Sequence, residues 1–256
     1  MTTCDLVAAG DVMVDVLAPA LSQRPTHAAV TVRAGGSAVN AARAAGSTGR
    51  TAAVVGCVGD DGLGRFVREE LRDARLEARL GVAAGRGTGR AVYAGGAVVA
   101  DRGANAAFSP EHVPDDLRGN AVLVSGYQLL REDSGAGARA ALGLGELKGV
   151  DVGSSRLVRA YGVDRVRALL GGVDVVFGGE DAVAALGTID GTLVVTTLGS
   201  RGARVGELVV GPPRALPGDP IGAGDAFAGV FLVSLVDGLP LDEALRAACA
   251  AGAAVS

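Results

Sequence analysis

The 256-residue chain has no tryptophan, and aromatic residues make up only 3% of it. With a net charge of −4 it also lacks any cluster of Lys and Arg interleaved with aromatics. Single-strand and base-stacking platforms need both features, so no nucleic-acid partner is expected. Cysteine is scarce: Cys4, Cys57 and Cys249 lie far apart in no paired spacing, which argues against a disulfide framework or a zinc site and for a reducing compartment. His27 and His112 stand in no ligand pattern. The start, Met1 to Asp5, has neither the basic region nor the apolar core of a signal peptide, and the longest apolar runs fall short of a membrane span. The expectation is a cytoplasmic protein without a membrane partner. There is no Gly-x-x-x-x-Gly-Lys-Ser/Thr loop, so a P-loop is excluded. Gly10-Asp11-Val12 does not supply the glycine fingerprint of a dinucleotide-binding dehydrogenase.

What is present is a long αβ alternation. Apolar residues make up 49% of the chain and charged residues 20%, an ordinary globular composition, and no linker or repeat divides residues 1–256. Leu6 to Val16 reads as a first strand broken at Gly10-Asp11, with Asp15 and Met13 on the face opposite the valines. Ala28 to Arg33 has strand character. Gly35-Gly36-Ser37 then opens an Ala-rich helix with Ser37 as its expected N-cap and Asn40 in its first turn. An amide there both donates to and accepts from hydroxyls, which suits a polyol. Thr51 to Val58 reads as a buried strand, and Gly59-Asp60-Asp61-Gly62 caps an amphipathic helix running to Ala74. Arg90–Tyr93 and Gly96–Val99 read as a hairpin that joins Ala28–Arg33 in a small accessory sheet. Beyond it come a helix start at Ser109-Pro110, strands at Ala121–Ser125, Gly149–Val152, Val173–Phe177 and Leu193–Thr197, and helices at 134–144, 162–170 and up to Leu186. Arg204 to Val210 reads as a tight hairpin, and a last helix starts at Asp242. The alternation implies a mostly parallel α/β sheet flanked by helices.

The stretch Asp219-Pro220-Ile221-Gly222-Ala223-Gly224-Asp225-Ala226-Phe227 is the most informative. Small residues let backbone N–H groups approach a guest, and the apolar run from Ala226 to Val236 reads as a buried helix. A helix start offers unpaired N–H donors and the positive end of the dipole, so an anion is the expected guest. A carboxylate there repels that anion unless it takes a proton from the group attacking it. The residues thus suggest phosphoryl transfer to a hydroxyl with Asp225 as base. The plainer reading of Asp225 is a helix cap.

Gly35-Gly36-Ser37-Ala38-Val39-Asn40-Ala41-Ala42 and Asp219 to Phe227 resemble the two signatures of the ribokinase family, the PfkB group of sugar and nucleoside kinases. Gly10-Asp11 with Asp15, Gly56 to Gly64, and Thr197 to Ala203 are similar to further blocks of that family, in the same order. The resemblance implies a doubly wound α/β domain with a small β-sheet lid, its strands lying roughly within residues 12–33 and 88–100. It implies ATP and Mg2+ as cofactors. By that resemblance Asp15, Gly35, Gly36 and Asn40 hold the sugar, and Asp225 is the catalytic base. Gly222, Ala223 and Gly224 form the anion hole, and Thr197, Gly199 and Gly202 the nucleotide loop. Asp219 counts with the cofactor side and lies beside a monovalent cation such as K+. It also implies a homodimer through the lid.

The chain departs from the family pattern in three respects. Gly179 and Ala182 stand where an Asn and a Glu organise Mg2+ in the family, so that either Glu180 or Asp181 serves instead or metal use is weak. Pro220 replaces a Thr, removing a hydroxyl and an N–H. The chain ends at Ser256, where the pattern leads one to expect more helix, and part of the adenine pocket is then lacking or supplied differently. Gly103-Ala104-Asn105-Ala106-Ala107 is similar to a stretch of ribokinases, which points to a pentose, hexose or keto-sugar acid as substrate. A nucleoside is the alternative, with Phe108 or Tyr127 to stack on its base. A catalytically weak relative that binds a sugar or nucleotide is the other.

Overall fold

Strand β1 (Thr2–Ala9) and strand β2 (Met13–Ala18) are parted by Gly10, Asp11 and Val12 and enter different sheets. The pattern from Leu6 to Val16 predicts one broken strand, and the two halves instead belong to separate sheets. The break is sharp because Gly10 lies against Ser37 and Ser125, where a Cβ would collide with both side chains. The computed structural model describes residues 1–19, 27–213 and 221–255.

Strand β3 (Thr31–Gly35) leads into helix α1 (Ser37–Ser47), then β4 (Ala52–Gly59), α2 (Gly62–Asp73) and β5 (Glu77–Ala83). The hairpin β6 (Gly89–Ala94) and β7 (Ala97–Asp101) follows. Next come β8 (Leu117–Ser125), α3 (Gly126–Leu129), α4 (Gly135–Ala141), β9 (Gly145–Asp151), α5 (Ser155–Tyr161) and α6 (Val163–Leu169). The chain continues through β10 (Val175–Gly179), α7 (Glu180–Leu186), β11 (Leu193–Thr197), β12 (Ala203–Val205), β13 (Leu208–Val210), α8 (Ala223–Val236) and α9 (Leu241–Ala254).

The large sheet has the order β13-β12-β11-β10-β9-β8-β1-β4-β5, parallel from β11 to β5 and antiparallel only at its β12 and β13 edge. The chain winds from β1 outward through β4 to β5, then returns to β8 on the other side of β1 and winds the opposite way. The order therefore reverses between β1 and β8, and such a switch point opens a crevice at the carboxyl ends of the strands. All eight residues of β4 are buried, as a strand covered on both faces requires. The alternation divides them: Ala52, Val54 and Val58 face one core with α1, α2, α8 and α9, while Ala53, Val55 and Cys57 face a second core with α4 to α7. Helix α8 is apolar on every side because it lies between the sheet, α1 and α9; Phe231 meets Phe177 of β10 edge-on at 5.6 Å.

The small sheet has the order β3-β2-β6-β7, with β2 antiparallel to β3 and parallel to β6. Its strands run two residues past the expected Arg33, to Gly35, and reach Asp101 on the other side. Other boundaries moved for local reasons. The helix expected over 162–170 is α6, and Gly162, at φ +101, parts it from α5, a helix not anticipated from the sequence. The helix expected at Ser109-Pro110 is a single 3-10 turn, Pro110–His112. Strand β5 was not anticipated, since Glu77-Ala78-Arg79-Leu80 carries charges at an edge whose residues are mostly half-exposed.

Candidate active site

Helix α8 opens on Gly222, which is its N-cap at φ +83. A side chain there would be strained in the left-handed region, and its Cβ would lie 2.7 Å from the Asn40 side-chain nitrogen. The first intrahelical bond runs from the Ala226 N–H to the Gly222 carbonyl at 2.9 Å. The N–H groups of Ala223, Gly224 and Asp225 come before it and have no partner inside the helix. Gly224 is exposed, and a Cβ built on it meets nothing within 4 Å, so the space over these donors is open.

Asp225 is the third residue of that first turn. Asn40 Nδ2 donates to Asp225 Oδ2 at 3.0 Å and ties the start of α1 to the start of α8. The two helices pack so closely that a Cβ on Gly229 would press on the Ala41 carbonyl at 2.6 Å. Asp225 keeps part of its surface open to the crevice, yet protein surrounds it on the other sides. This burial, joined by repulsion from Asp151, Asp15 and Asp11, pushes its pKa up to about 8 against the lowering effect of the Asn40 hydrogen bond. A carboxyl poised there can switch between acid and base near neutrality, as a general base requires. The crevice at the switch point is lined by Ala9 of β1, Ser125 of β8, Asp151 of β9, Ser37 of α1 and Asp225.

Asp15 comes from the lid. Its side chain is fully buried, and neither carboxylate oxygen has a hydrogen-bond partner among the described residues. Burial pushes its pKa up, with the Arg33 charge, the nearby Gly36 N–H and the Arg43 charge offsetting part of the effect. The Gly36 N–H acts there from beyond hydrogen-bonding geometry. Gly35 is required for this placement, because a Cβ on it would overlap the Asp15 carboxylate. Gly36, at φ +88, sits over the Asp11 carbonyl and is the N-cap of α1. Ser37, the expected cap, is instead the first helical residue, and its Oγ accepts the Asp11 N–H at 3.2 Å.

Polar side chains from other segments hold the turn between β1 and β2. Asn105 Oδ1 accepts the Val12 N–H and its Nδ2 donates to the Val12 carbonyl, both at 2.9 Å, which fixes the turn between β1 and β2. Gln128 Nε2 donates to Asp11 Oδ1 at 2.8 Å. Arg102 reaches Ser134 Oγ at 2.8 Å, Asp133 at 2.9 Å and Asp11 at 3.7 Å. None of Asp11, Arg102, Gln128 or Asp151 was assigned a role from the sequence. For Asp151 a signal existed, a carboxylate at the carboxyl end of a central strand. Its pKa is raised by burial, and Oδ1 accepts the Gly153 N–H at 2.9 Å. Tyr93 of the lid and Tyr127 after β8 both sense the Asp225 charge. Tyr127 is exposed, whereas Phe108 is 1% exposed and serves the core, which corrects its reading as a base-stacking residue.

On the other flank lie Thr197 at the end of β11 and the loop from Gly199 to Gly202. Gly199 and Gly202 have φ +60 and +95, and a Cβ on Gly199 faces open space. Glu180, at the start of α7, is ion-paired with Arg201 of that loop. Gly179 ends β10 with open space beside it, but Ala182 is packed in the core, so a carboxylate at position 182 would have to displace that packing. Among the described residues no group of three His, Cys, Asp or Glu side chains gathers to hold a metal. Asp219 and Pro220, with the expected K+ position, lie outside the described residues.

A doubly wound sheet, a lid carrying a carboxylate, and a helix start that combines free N–H donors with a poised carboxyl define a kinase acting on a small hydroxyl-bearing molecule. The family model of the pfkB family carbohydrate kinases matches residues 4–256, and the chain belongs to that family. It is a sugar or nucleoside kinase that uses ATP. The chain is 31% identical over 238 residues to the ATP-dependent ribose-1-phosphate kinase of Halopiger xanaduensis, covering 86% of this chain and 79% of that protein. Among solved structures it is similar to the adenosine kinase of Sinorhizobium meliloti, with a TM-score of 0.85 and 22% identity over 98% of this chain and 93% of that one. It is also similar to the fructokinase of Vibrio cholerae O395 bound to fructose, ADP and calcium, with a TM-score of 0.79 and 24% identity over 97% and 92%. At these identities the two structures speak for the fold. No helix among the described residues is long and apolar enough to cross a membrane.

Proposed function

We propose that the chain transfers the γ-phosphoryl group of ATP to a hydroxyl of a small sugar, with Asp225 as general base. The observation that carries this reading is the Asn40–Asp225 pair at the mouth of α8, beside open N–H donors and in electrostatic reach of the unpartnered Asp15 carboxylate. Asp15 accepts hydroxyl protons of the sugar. The Gly35-Gly36 backbone and Asn40 shape the rest of its cradle. The attacking hydroxyl oxygen forms the new P–O bond, the bond to ADP breaks, and the hydroxyl proton passes to an Asp225 oxygen. The N–H groups at Gly222, Ala223 and Gly224 hold the charge that builds on the transferred group, which is the main source of catalysis in such reactions. Thr197, Gly199 and Gly202 line the nucleotide side.

Mg2+ fits as an ion that arrives with the nucleotide, since Mg2+ in kinases takes one or two carboxylates plus phosphate oxygens and water. It would neutralise phosphate charge. Glu180, ion-paired with Arg201 of the nucleotide-side loop, is the carboxylate that would approach it on exchanging that bond. A K+ beside Asp219 belongs to the same reading.

A pentose, hexose or keto-sugar acid is the first substrate class. Ribose 1-phosphate joins it because the Halopiger relative is named for that substrate. A nucleoside is the second reading, favoured by exposed Tyr127 beside Asp225. A cytoplasmic homodimer completes the proposal. Across the lid face opposite Asp15, Val32, Val16, Val92 and Val99 form one cross-strand row over all four strands, and Val32, Val92 and Val99 are exposed. ADP release with ATP and Mg2+ against a panel of sugars, sugar phosphates and nucleosides tests the activity. Turnover on a sugar supports it. Silence across the panel, with thermal stabilisation by a sugar, would favour a binding protein that does not catalyse.

A further inference from the structure

Asp15 on β2 and Arg33 on β3 are directly opposed in the lid, so their side chains leave the same face of the sheet. They are neighbours of opposite charge, yet they do not bond each other. Both Asp15 oxygens are buried without a donor, and Arg33 Nε is buried without an acceptor, among the described residues. Buried polar groups are nearly always satisfied, and a pair left open side by side in a substrate cleft points to a guest that offers both hydroxyls and acceptors.

Arg43 of α1 lies near the same pair but is already committed. Its Nη1 donates to the Ala34 carbonyl at 3.0 Å, and its Nη2 lies 3.7 Å from Glu70. Glu70 is also used, accepting the Ala34 N–H at 3.0 Å. The local anion is therefore spent on Arg43 and the backbone, and Arg33 is left facing the cleft. Tyr93 shares this face, since it pairs with Leu17 two residues along β2 from Asp15. Its hydroxyl lies within the electrostatic reach of Asp15, Asp225 and Arg33 together, which brings the cation and the proposed base around one space.

Four carboxylates share that space, namely Asp11, Asp15, Asp151 and Asp225, while the cations nearest them apart from Arg33, Arg43 and Arg102, are held by Glu70 and the Ala34 carbonyl and by Asp133 and Ser134. Left to themselves the carboxylates select against an anion. A neutral sugar needs no guanidinium, whereas an anionic one needs a fixed, fork-shaped donor to offset them. We propose that Arg33 binds a phosphate or carboxylate substituent of the sugar whose hydroxyls Asp15 holds, so that the substrate is a charged sugar. This rests on the kinase reading for the identity of the cleft, but its test does not need turnover.

Binding is measured by titration calorimetry on the whole chain without nucleotide, using ribose 1-phosphate, 2-keto-3-deoxygluconate, ribose and adenosine as probes. One charged sugar is expected to bind at least about tenfold more tightly than ribose. Arg33→Gln should weaken that binding by about 10–100-fold, the range for a charge-assisted hydrogen bond, and change ribose binding less than about twofold. Arg33→Lys should restore part of it, which guards against a variant that merely fails to fold. The stronger of the two charged arms identifies the substituent. Equal or tighter binding of ribose or adenosine, or an equal loss on charged and neutral sugars in Arg33→Gln, overturns the assignment. Charged-sugar binding that depends on Arg33 without any ADP release would uphold it while removing the kinase reading.

Discussion

Asn40 and Asp225 are 185 residues apart in sequence and 3.0 Å apart in space, and their hydrogen bond joins the two helix starts that form the site. Asn40 is itself fixed by Gly222, whose missing side chain leaves room for the amide. The proposed base is thus oriented by a residue of α1, the helix proposed to cradle the sugar, and that residue is positioned by the glycine turn that opens α8. Each half of the site depends on the other for its geometry.

Asp225→Asn keeps the size of the side chain but removes the proposed base. The rate of ADP release should fall by about 10²–10⁴-fold with little change in sugar affinity. A variant as fast as the unaltered enzyme would show that Asp225 is a helix cap and nothing more.

The pKa of about 8 sets a pH profile. Below that value most of the free enzyme holds Asp225 protonated, so log kcat/KM should rise with a slope near one toward pH 8 and level off above it. The Asn40 hydrogen bond lowers that pKa. Asn40→Ala should therefore move the midpoint upward as well as lower the plateau. A midpoint that stays in place would mean the amide does not act on the carboxyl.

The same shift has a stability consequence of definite sign. Asp225 ordinarily titrates near 3.8 and in the fold near 8, so between these values the folded state binds more protons than the unfolded one. Its contribution to stability is fully present below pH 4 and is lost as pH rises toward 8. Asp225→Asn should raise the melting temperature at pH 8, by about 2–4 °C per kcal/mol regained for a chain of this size. The gain should shrink steadily as the comparison is made nearer pH 4. An Asn variant that melts lower than the unaltered protein at pH 8 would rule this out.

Much of this site was legible because its chemistry is local. Gly222, Ala223, Gly224 and Asp225 sit within one turn, and a glycine pair before an Ala-rich helix announces α1 without any tertiary information. The lid was legible for a similar reason, as the period-two runs around Asp15 and Tyr93 differ from the buried strands. Non-local groups were not readable. Arg102 becomes meaningful only when the chain after β7 meets Asp11, and Asp151 only when β9 lands two strands from β1. Gly35 shows the limit most clearly. As part of a glycine pair it reads as backbone freedom, yet its role is to leave room for a carboxylate from a neighbouring strand.

Gly35→Ala follows from that point. The added methyl would overlap Asp15 and push its carboxylate out of the sugar cradle. Affinity for the sugar should drop by about 10–100-fold, the cost of losing hydrogen bonds to a charged group. kcat should change less, since the proposed base and anion hole lie on another element. A loss confined to kcat would place Gly35 elsewhere in the mechanism.

The lid valines give the last prediction. Val32 is 50% exposed, Val92 39% and Val99 75%, and they line up across β3, β6 and β7 with Val16 between the first two. An exposed apolar row across all four strands is the surface proposed for a contact. A two-fold axis through the lid would set the row of one copy against that of the other, as isologous dimers require. A stable interface buries roughly 1,200–2,000 Å² in total, so the row would be its centre and the lid edges its rim. Val92→Lys places a charge at that centre and should halve the mass seen by sedimentation at micromolar concentration. Val209→Lys is the control, because Val209 is more exposed than Val92, at 56% against 39%, but lies on β13 at the edge of the large sheet. That variant should keep the mass of the unaltered protein. If the unaltered chain sediments as a monomer, or if both substitutions dissociate it alike, the valine row is not the dimer surface.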